Sequence, residues 1–275
     1  MALASPGLGF ARYAQGMTLP SSPTDLYVLT GASRGMGLAM ARQLLRPGHT
    51  LLTLARHPNA ELDRQTAGAT LEQWAVDLAD GAGVALRLRD WLQAQKSKAF
   101  RSATLINNAG VIPRIAPLSV CTSAEDLADL ANALRVGLEA PMQLTAAFLG
   151  STEGWGVPRK VLNISSGLGR RAMASQSGYC AAKAGLDHFT RCVALDEALK
   201  PQGAKVCAIA PGVIDTDMQV QLRGADPAGF PDAGNFAALQ SQGMLTSPDE
   251  AAARVLAWLD RPDFGAQPVA DVRQG

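Results

Sequence analysis

The chain has 275 residues, 47% hydrophobic and 18% charged, enough apolar material for a large core, which excludes an intrinsically disordered protein. Its formal net charge of +1 and the lack of any Lys/Arg block leave no cationic excess for a phosphate backbone, so no nucleic-acid partner is predicted. No uninterrupted apolar run of about 18 residues exists, so no membrane-spanning helix is predicted either.

Residues 1–24 scatter Gly and Pro without a continuous apolar stretch and read as a flexible N-terminal extension, not a secretory leader. Residues 25–275 read as one α/β domain. In chain order, Leu26–Thr30 predicts a strand, Thr30–Gly37 a glycine-rich turn and Leu38–Leu45 a helix. Thr50–Ala55 and Leu71–Val76 predict the second and third strands. Val84–Lys98 then reads as a helix with Leu86, Leu88, Trp91 and Leu92 on one side, and Ala103–Asn107 as the fourth strand. From Ser123 to Leu149, Leu127, Leu130, Leu134, Leu138, Met142 and Leu144 recur near helical spacing, with a kink or break expected at Pro141. Lys160–Ile164 is the fifth predicted strand, Ser177–Leu199 a long helix, Lys205–Ala210 the sixth strand and Pro268–Val272 a short seventh. The segment 217–246, rich in Gly, Pro, Asp and Gln, reads as a mobile substrate loop. Strands alternating with helices predict a seven-stranded parallel sheet covered on both faces, with ligands at the C-terminal ends of its strands.

Cys121, Cys180, Cys192 and Cys207 show no C-x-x-C spacing, and the three histidines do not complement them, so no metal site is predicted. Each cysteine reads as a reduced, buried apolar residue of a cytoplasmic protein.

Chemistry concentrates after the predicted strands. A strand feeding a helix through glycines forms a phosphate cradle, because glycine lets the backbone approach closely and the helix N-terminus offers free N–H groups. Tyr179 and Lys183, four apart, share a helix face, so the ammonium is expected near the phenol, lowering its pKa and making it a usable acid and base. Ser165 and Ser166 close a strand thirteen and more residues earlier, and Asn107–Gly110 and Pro211–Gly212 follow two others.

These elements together, T-G-x-x-x-G-x-G at Thr30–Gly37, N-N-A-G at Asn107–Gly110, the set Ser166, Tyr179 and Lys183, and P-G-x-x-x-T at Pro211–Thr216, resemble the short-chain dehydrogenase/reductase family over roughly residues 27–218. The resemblance implies a single Rossmann-type, doubly wound dinucleotide-binding catalytic domain that moves a hydride between a nicotinamide cofactor and a carbonyl or alcohol. By motif position, Tyr179 would protonate the carbonyl oxygen, Ser166 would hydrogen-bond it in preference to Ser165, and Lys183 would hold the ribose hydroxyls and stabilise phenolate. Gly31, Ser33, Arg34, Met36 and Gly37 would hold the pyrophosphate. Asp77 and Leu78 would meet the adenine, Asn108, Ala109 and Gly110 the adenosine ribose, and Pro211, Gly212, Ile214 and Thr216 the nicotinamide side. Asp77 also reads as a turn residue and Thr216 as a helix N-cap.

Rossmann sites that prefer NAD place a carboxylate after the second strand, whereas arginine suits a 2′-phosphate. Arg56 follows that strand here and Arg34 lies in the turn, so NADP(H) is the expected cofactor, against the alternative of two solvated surface arginines. One departure from the family pattern is Gly137 where an Asn usually completes a proton relay. Glu139–Met142 with Leu144–Thr145 resembles the sepiapterin reductase and benzil reductase branch, which implies an NADPH-dependent carbonyl or diketone reductase, with Asp271 either a substrate anchor or a surface carboxylate. Leu222, Phe230, Phe236, Leu239 and Met244 either close over an apolar ketone or form ordinary core. The family resemblance implies a homodimer or homotetramer built on the two long helices. A non-catalytic dinucleotide sensor on the same fold is the alternative. A sugar-nucleotide epimerase would need more chain after Thr216.

Overall fold

The computed structural model describes residues 24–95 and 100–274. The predicted extension therefore lies almost wholly outside the described residues, as does the expected helix end at Lys98. The described elements run β1 Thr24–Thr30, α1 Gly35–Leu44, β2 His49–Ala55, α2 Ala60–Arg64, β3 Thr70–Ala75, α3 Gly81–Ala94 and β4 Phe100–Asn107. They continue through α4 Ala124–Leu134, α5 Ala140–Thr152, β5 Arg159–Ile164, α6 Ser177–Ala198, β6 Lys205–Ala210, α7 Asp217–Arg223, α8 Ala233–Ser241, α9 Pro248–Leu259 and β7 Val269–Asp271.

The seven strands form one parallel sheet in the order β3-β2-β1-β4-β5-β6-β7. The chain starts at β1, winds outward to β3, then returns to place β4 on the other side of β1. Helices following β1 and β4 therefore leave on opposite faces, and a crevice opens between these strands at their C-terminal ends. Register pairs Leu29 with Ile106 across β1 and β4, which brings Thr30 and Asn107 to the same edge.

Both faces are buried because strand side chains alternate between them. Leu29 packs with Met40 and Leu44 of α1 and with Val255 and Leu259 of α9. Leu26 and Val28, on the other face, pack with Leu88 and Leu92 of α3 and with Leu144 and Phe148 of α5. Burial of each such side chain contributes about 1.5–3 kcal/mol.

The structure sharpens one expectation and corrects three others. The interruption expected at Pro141 is present: Arg135–Glu139 widens into a π-turn, and α5 begins with Pro141 in its first turn. Proline has no N–H to return to the Gly137 carbonyl, so the winding loosens just before the ring. The 217–246 segment holds two helices, α7 and α8, instead of an open loop. Phe230 is fully buried there and stacks on Phe236 at 5.8 Å, which anchors the segment. Of the four cysteines, all free, only Cys207 is buried, while Cys192 is exposed and Cys121 and Cys180 are half-buried. Leu86, Leu127, Leu134 and Met142 also face outward, not into the core.

Candidate active site

The glycine turn is shaped by contacts that exclude side chains. Gly31 has a φ of +74°, and a β-carbon on Gly37 would stand 2.0 Å from the Gly31 carbonyl oxygen and 2.5 Å from Asn108 Nδ2. Asn108 holds the turn from the neighbouring strand, donating its amide to the Thr30 carbonyl at 2.9 Å and the Gly31 carbonyl at 3.3 Å. Thr30 Oγ1 in return accepts the backbone N–H groups of Asn108 and Ala109, at 2.9 and 3.0 Å. Asn108 is thus a builder of the cradle, with its amide committed to the turn.

Helix α1 opens from this cradle with Arg34 at the N-cap, no side-chain cap and no acidic residue in its first turn. By contrast α4 and α9 carry full capping boxes, Ser123 with Asp126 and Ser247 with Glu250. The first N–H groups of α1 are therefore left for an external anion, and the residues present fit a dinucleotide pyrophosphate.

The crevice continues into a cavity of about 840 Å³. Every catalytic and cofactor-binding residue expected from the sequence motifs lines it. Gly31, Ser33, Arg34, Met36 and Gly37 form the turn, Arg56 follows β2, and Asp77 and Leu78 follow β3. Asn108, Ala109 and Gly110 follow β4, Ser166 follows β5, Tyr179 and Lys183 come from α6, and Pro211, Gly212, Ile214 and Thr216 follow β6. Asp77 is also a turn residue, its carboxylate accepting the Ala79 N–H at 2.9 Å. Thr216 occupies the N-cap position of α7, but its hydroxyl does not cap the helix. Arg34 ion-pairs with Asp217 at 2.8 Å, both side chains well exposed, whereas Arg56 has no ion pair among the described residues.

At the inner end Ser166 and Tyr179 border the same part of the cavity, the Ser166 hydroxyl oxygen accepting the Leu168 N–H at 3.2 Å. Ser165 also borders the cavity, but its hydroxyl is committed as a donor to the buried Asp187 carboxylate. Lys183, also buried, donates to the Ile164 carbonyl at 2.8 Å and sits 5.7 Å from the centre of the Tyr179 ring. The expected lowering of the phenol by this cation is not what the geometry gives. Burial dominates and pushes Tyr179 up to about 12, with the Ser166 hydrogen bond opposing. Burial likewise pulls Lys183 down to about 8, with Asp187 opposing. At neutral pH the site holds a protonated phenol beside a charged amine.

Gly137 is buried in the π-turn, where a β-carbon would stand 3.2 Å from Ala182 Cβ, so the small residue lets this helix lie against α6. Asp271 is neither a surface carboxylate nor part of the cavity wall: it is buried and bound by Arg273 at 2.6 Å, with Arg170 at 3.8 Å. Of the apolar residues of 217–246, Leu222 and Phe236 line the cavity, Phe230 is core, Leu239 is half-buried and Met244 is exposed. Sequence reasoning missed Ile112, Leu168 and Met173 in the wall. They come from loops after β4 and β5 that carry no motif, and no local signal distinguishes them.

The sequence model of the short chain dehydrogenase family matches residues 26–226. A benzil reductase ((S)-benzoin forming) of Bacillus cereus is 34% identical over 239 residues, covering 86% of this chain and 94% of the relative. A sepiapterin reductase of Meriones unguiculatus is 32% identical over 248 residues, covering 86% and 92%. A solved structure from Beutenbergia cavernae with bound NADP at low occupancy is 26% identical, with a TM-score of 0.74, covering 92% of this chain and 96% of that one. With the glycine cradle, the Ser166–Tyr179–Lys183 cluster and these relatives in agreement, the chain is an oxidoreductase and belongs to the short chain dehydrogenase family.

Proposed function

We propose that this enzyme is an NADP(H)-dependent reductase of apolar or aromatic ketones, with diketones as the preferred class. The observation that carries this reading is the buried, protonated Tyr179 phenol beside Ser166 at the inner end of a cavity that begins at the uncapped α1 N-terminus. When bound, the nicotinamide cofactor supplies the hydride. Tyr179 donates its phenolic proton to the carbonyl oxygen, and Ser166 donates a hydrogen bond to the same oxygen and orients it. Lys183 holds the nicotinamide ribose hydroxyls and its charge stabilises the phenolate left on Tyr179. Burial keeps the Tyr179 phenol protonated, the form that can donate to a carbonyl oxygen.

Support for NADP(H) over NAD(H) comes from Arg56 and Arg34 at the adenosine end, with no carboxylate directly after β2. The Arg34–Asp217 pair is exposed and weak, so a 2′-phosphate can displace the carboxylate. Support for an apolar substrate comes from Ile112, Leu168, Met173, Leu222 and Phe236 in the wall, and from the benzil reductase relatives. Exposed Leu127, Leu134 and Met142 on α4 and α5, with Leu195 on α6 and Leu199 just after it, favour a homodimer or homotetramer. No helix of the described residues is long and apolar enough to cross a membrane.

The test is NADPH and NADH oxidation over a panel of diketones, aryl ketones and charged sugars, with wild type beside Tyr179→Phe. Turnover of the apolar carbonyls with NADPH is expected. Cofactor binding without turnover of any carbonyl would instead favour a dinucleotide sensor, and activity confined to charged sugars would overturn the substrate assignment.

A further inference from the structure

Asp187 is 1% exposed, lies one helical turn beyond Lys183 on α6, and has no part in the chemistry described above. One carboxylate oxygen accepts the Ser165 hydroxyl. The other has no hydrogen-bond partner and stands 4.0 Å from Arg170 Nε. The turn after β5 folds tightly over this carboxylate: a β-carbon on Gly169 would lie 2.8 Å from Asp187 Oδ2 and 3.0 Å from the Lys183 carbonyl. Helix α6 therefore grips the end of β5 at two successive residues, Lys183 on the Ile164 carbonyl at 2.8 Å and Asp187 on the Ser165 hydroxyl. Neighbouring side chains of an extended chain point to opposite sides, so fixing Ser165 inward turns Ser166 toward the cavity. Tyr179 stands on the same helix two turns earlier, so both hydroxyls are referenced to one rigid element.

We propose that Asp187 is a positioning residue, which through Ser165 holds the end of β5 so that Ser166 is presented to the same cavity as the Tyr179 phenol. The proposal rests on the reductase reading for its kinetic consequence, but not for its structural one. A buried carboxylate with one unpartnered oxygen costs stability. Its presence where an apolar side chain would fill the space fits a residue kept for position. A displacement of about 1 Å at a reacting group can lower the rate by ~100-fold.

Three variants test this. Asp187→Asn keeps an acceptor for Ser165 and is expected to retain kcat within about threefold. Asp187→Leu keeps volume but removes the acceptor, and is expected to lose kcat by ~10–100-fold while KM for NADPH stays within about twofold. Equal kcat in Asp187→Leu and wild type overturns the proposal, as does an equal loss in Asp187→Asn and Asp187→Leu. Should Asp187→Leu not fold, Ser165→Ala breaks the grip from the strand side and is expected to lose kcat by about tenfold, with wild-type kcat overturning the idea. If wild type turns over no carbonyl, the reductase reading fails separately. The crystal structure of Ser165→Ala then decides: the Ser166 hydroxyl should have shifted relative to Tyr179, and an unmoved hydroxyl overturns the proposal.

Discussion

The Lys183 ammonium lies 5.7 Å from the centre of the Tyr179 ring, yet its hydrogen bond goes to the Ile164 carbonyl and not to the phenol. The two side chains share a face of α6, but each is governed by its own burial. Tyr179 is pushed up to about 12 and Lys183 down to about 8, so the expected acid is fully protonated at neutral pH.

Tyr179→Phe removes the proton donor without changing the shape of the cavity. Reductase kcat should fall by ~10²–10⁴-fold, while NADPH affinity, read by quenching of protein fluorescence, should change by less than about tenfold. Retention of a tenth of the wild-type rate would remove Tyr179 from the role of acid.

Lys183→Met tests the cost of burying the amine. A group whose folded pKa is depressed from 10.5 to about 8 is bound to more protons in the unfolded chain between those values, so wild-type stability should rise with pH there. The variant should be more stable than wild type at pH 7 by up to ~3 kcal/mol, less the lost bond to Ile164, and the gap should close toward pH 10.5. Wild-type kcat/KM should fall above pH about 8 as the amine loses its charge. Urea melts from pH 7 to 10.5 and a pH–rate profile check both.

Arg56→Ala should raise KM for NADPH by ~10–100-fold, the equivalent of one or two charge-assisted hydrogen bonds, and leave KM for NADH unchanged. Asp217→Asn should do the reverse. It frees Arg34 from an exposed pair worth at most about 1 kcal/mol, so stability should hardly move while KM for NADPH falls. Parallel NADPH and NADH kinetics separate these outcomes.

Gly37→Ala places a β-carbon 2.0 Å from the Gly31 carbonyl, a backbone atom that cannot swing aside. The turn must open, and NADPH affinity should drop by at least ~10-fold, roughly 1.4 kcal/mol or more. Circular dichroism should still report a folded protein, and unchanged NADPH binding would show that the turn is not the phosphate cradle.

Much of the architecture was written in local sequence. The apolar runs of β1 and β6 and the 3.6-residue pattern of α6 depend on near neighbours only, so the parallel sheet and the motif-bearing loops at its strand ends could be read directly. The glycine turn, Asn108 and the Tyr179–Lys183 spacing were legible for the same reason. Tertiary structure alone decided the rest, because it depends on what distant segments place beside each group. The direction of the Tyr179 and Lys183 shifts followed from burial by several elements at once. Asp271 was claimed by Arg273 and Arg170, one of them a hundred residues away in sequence. The 217–246 segment became helical by packing Phe230 into a pocket that its composition did not announce. The grip of Asp187 on Ser165 joins residues 22 apart, a pairing that neither helical nor strand periodicity encodes and that only the fold brings together.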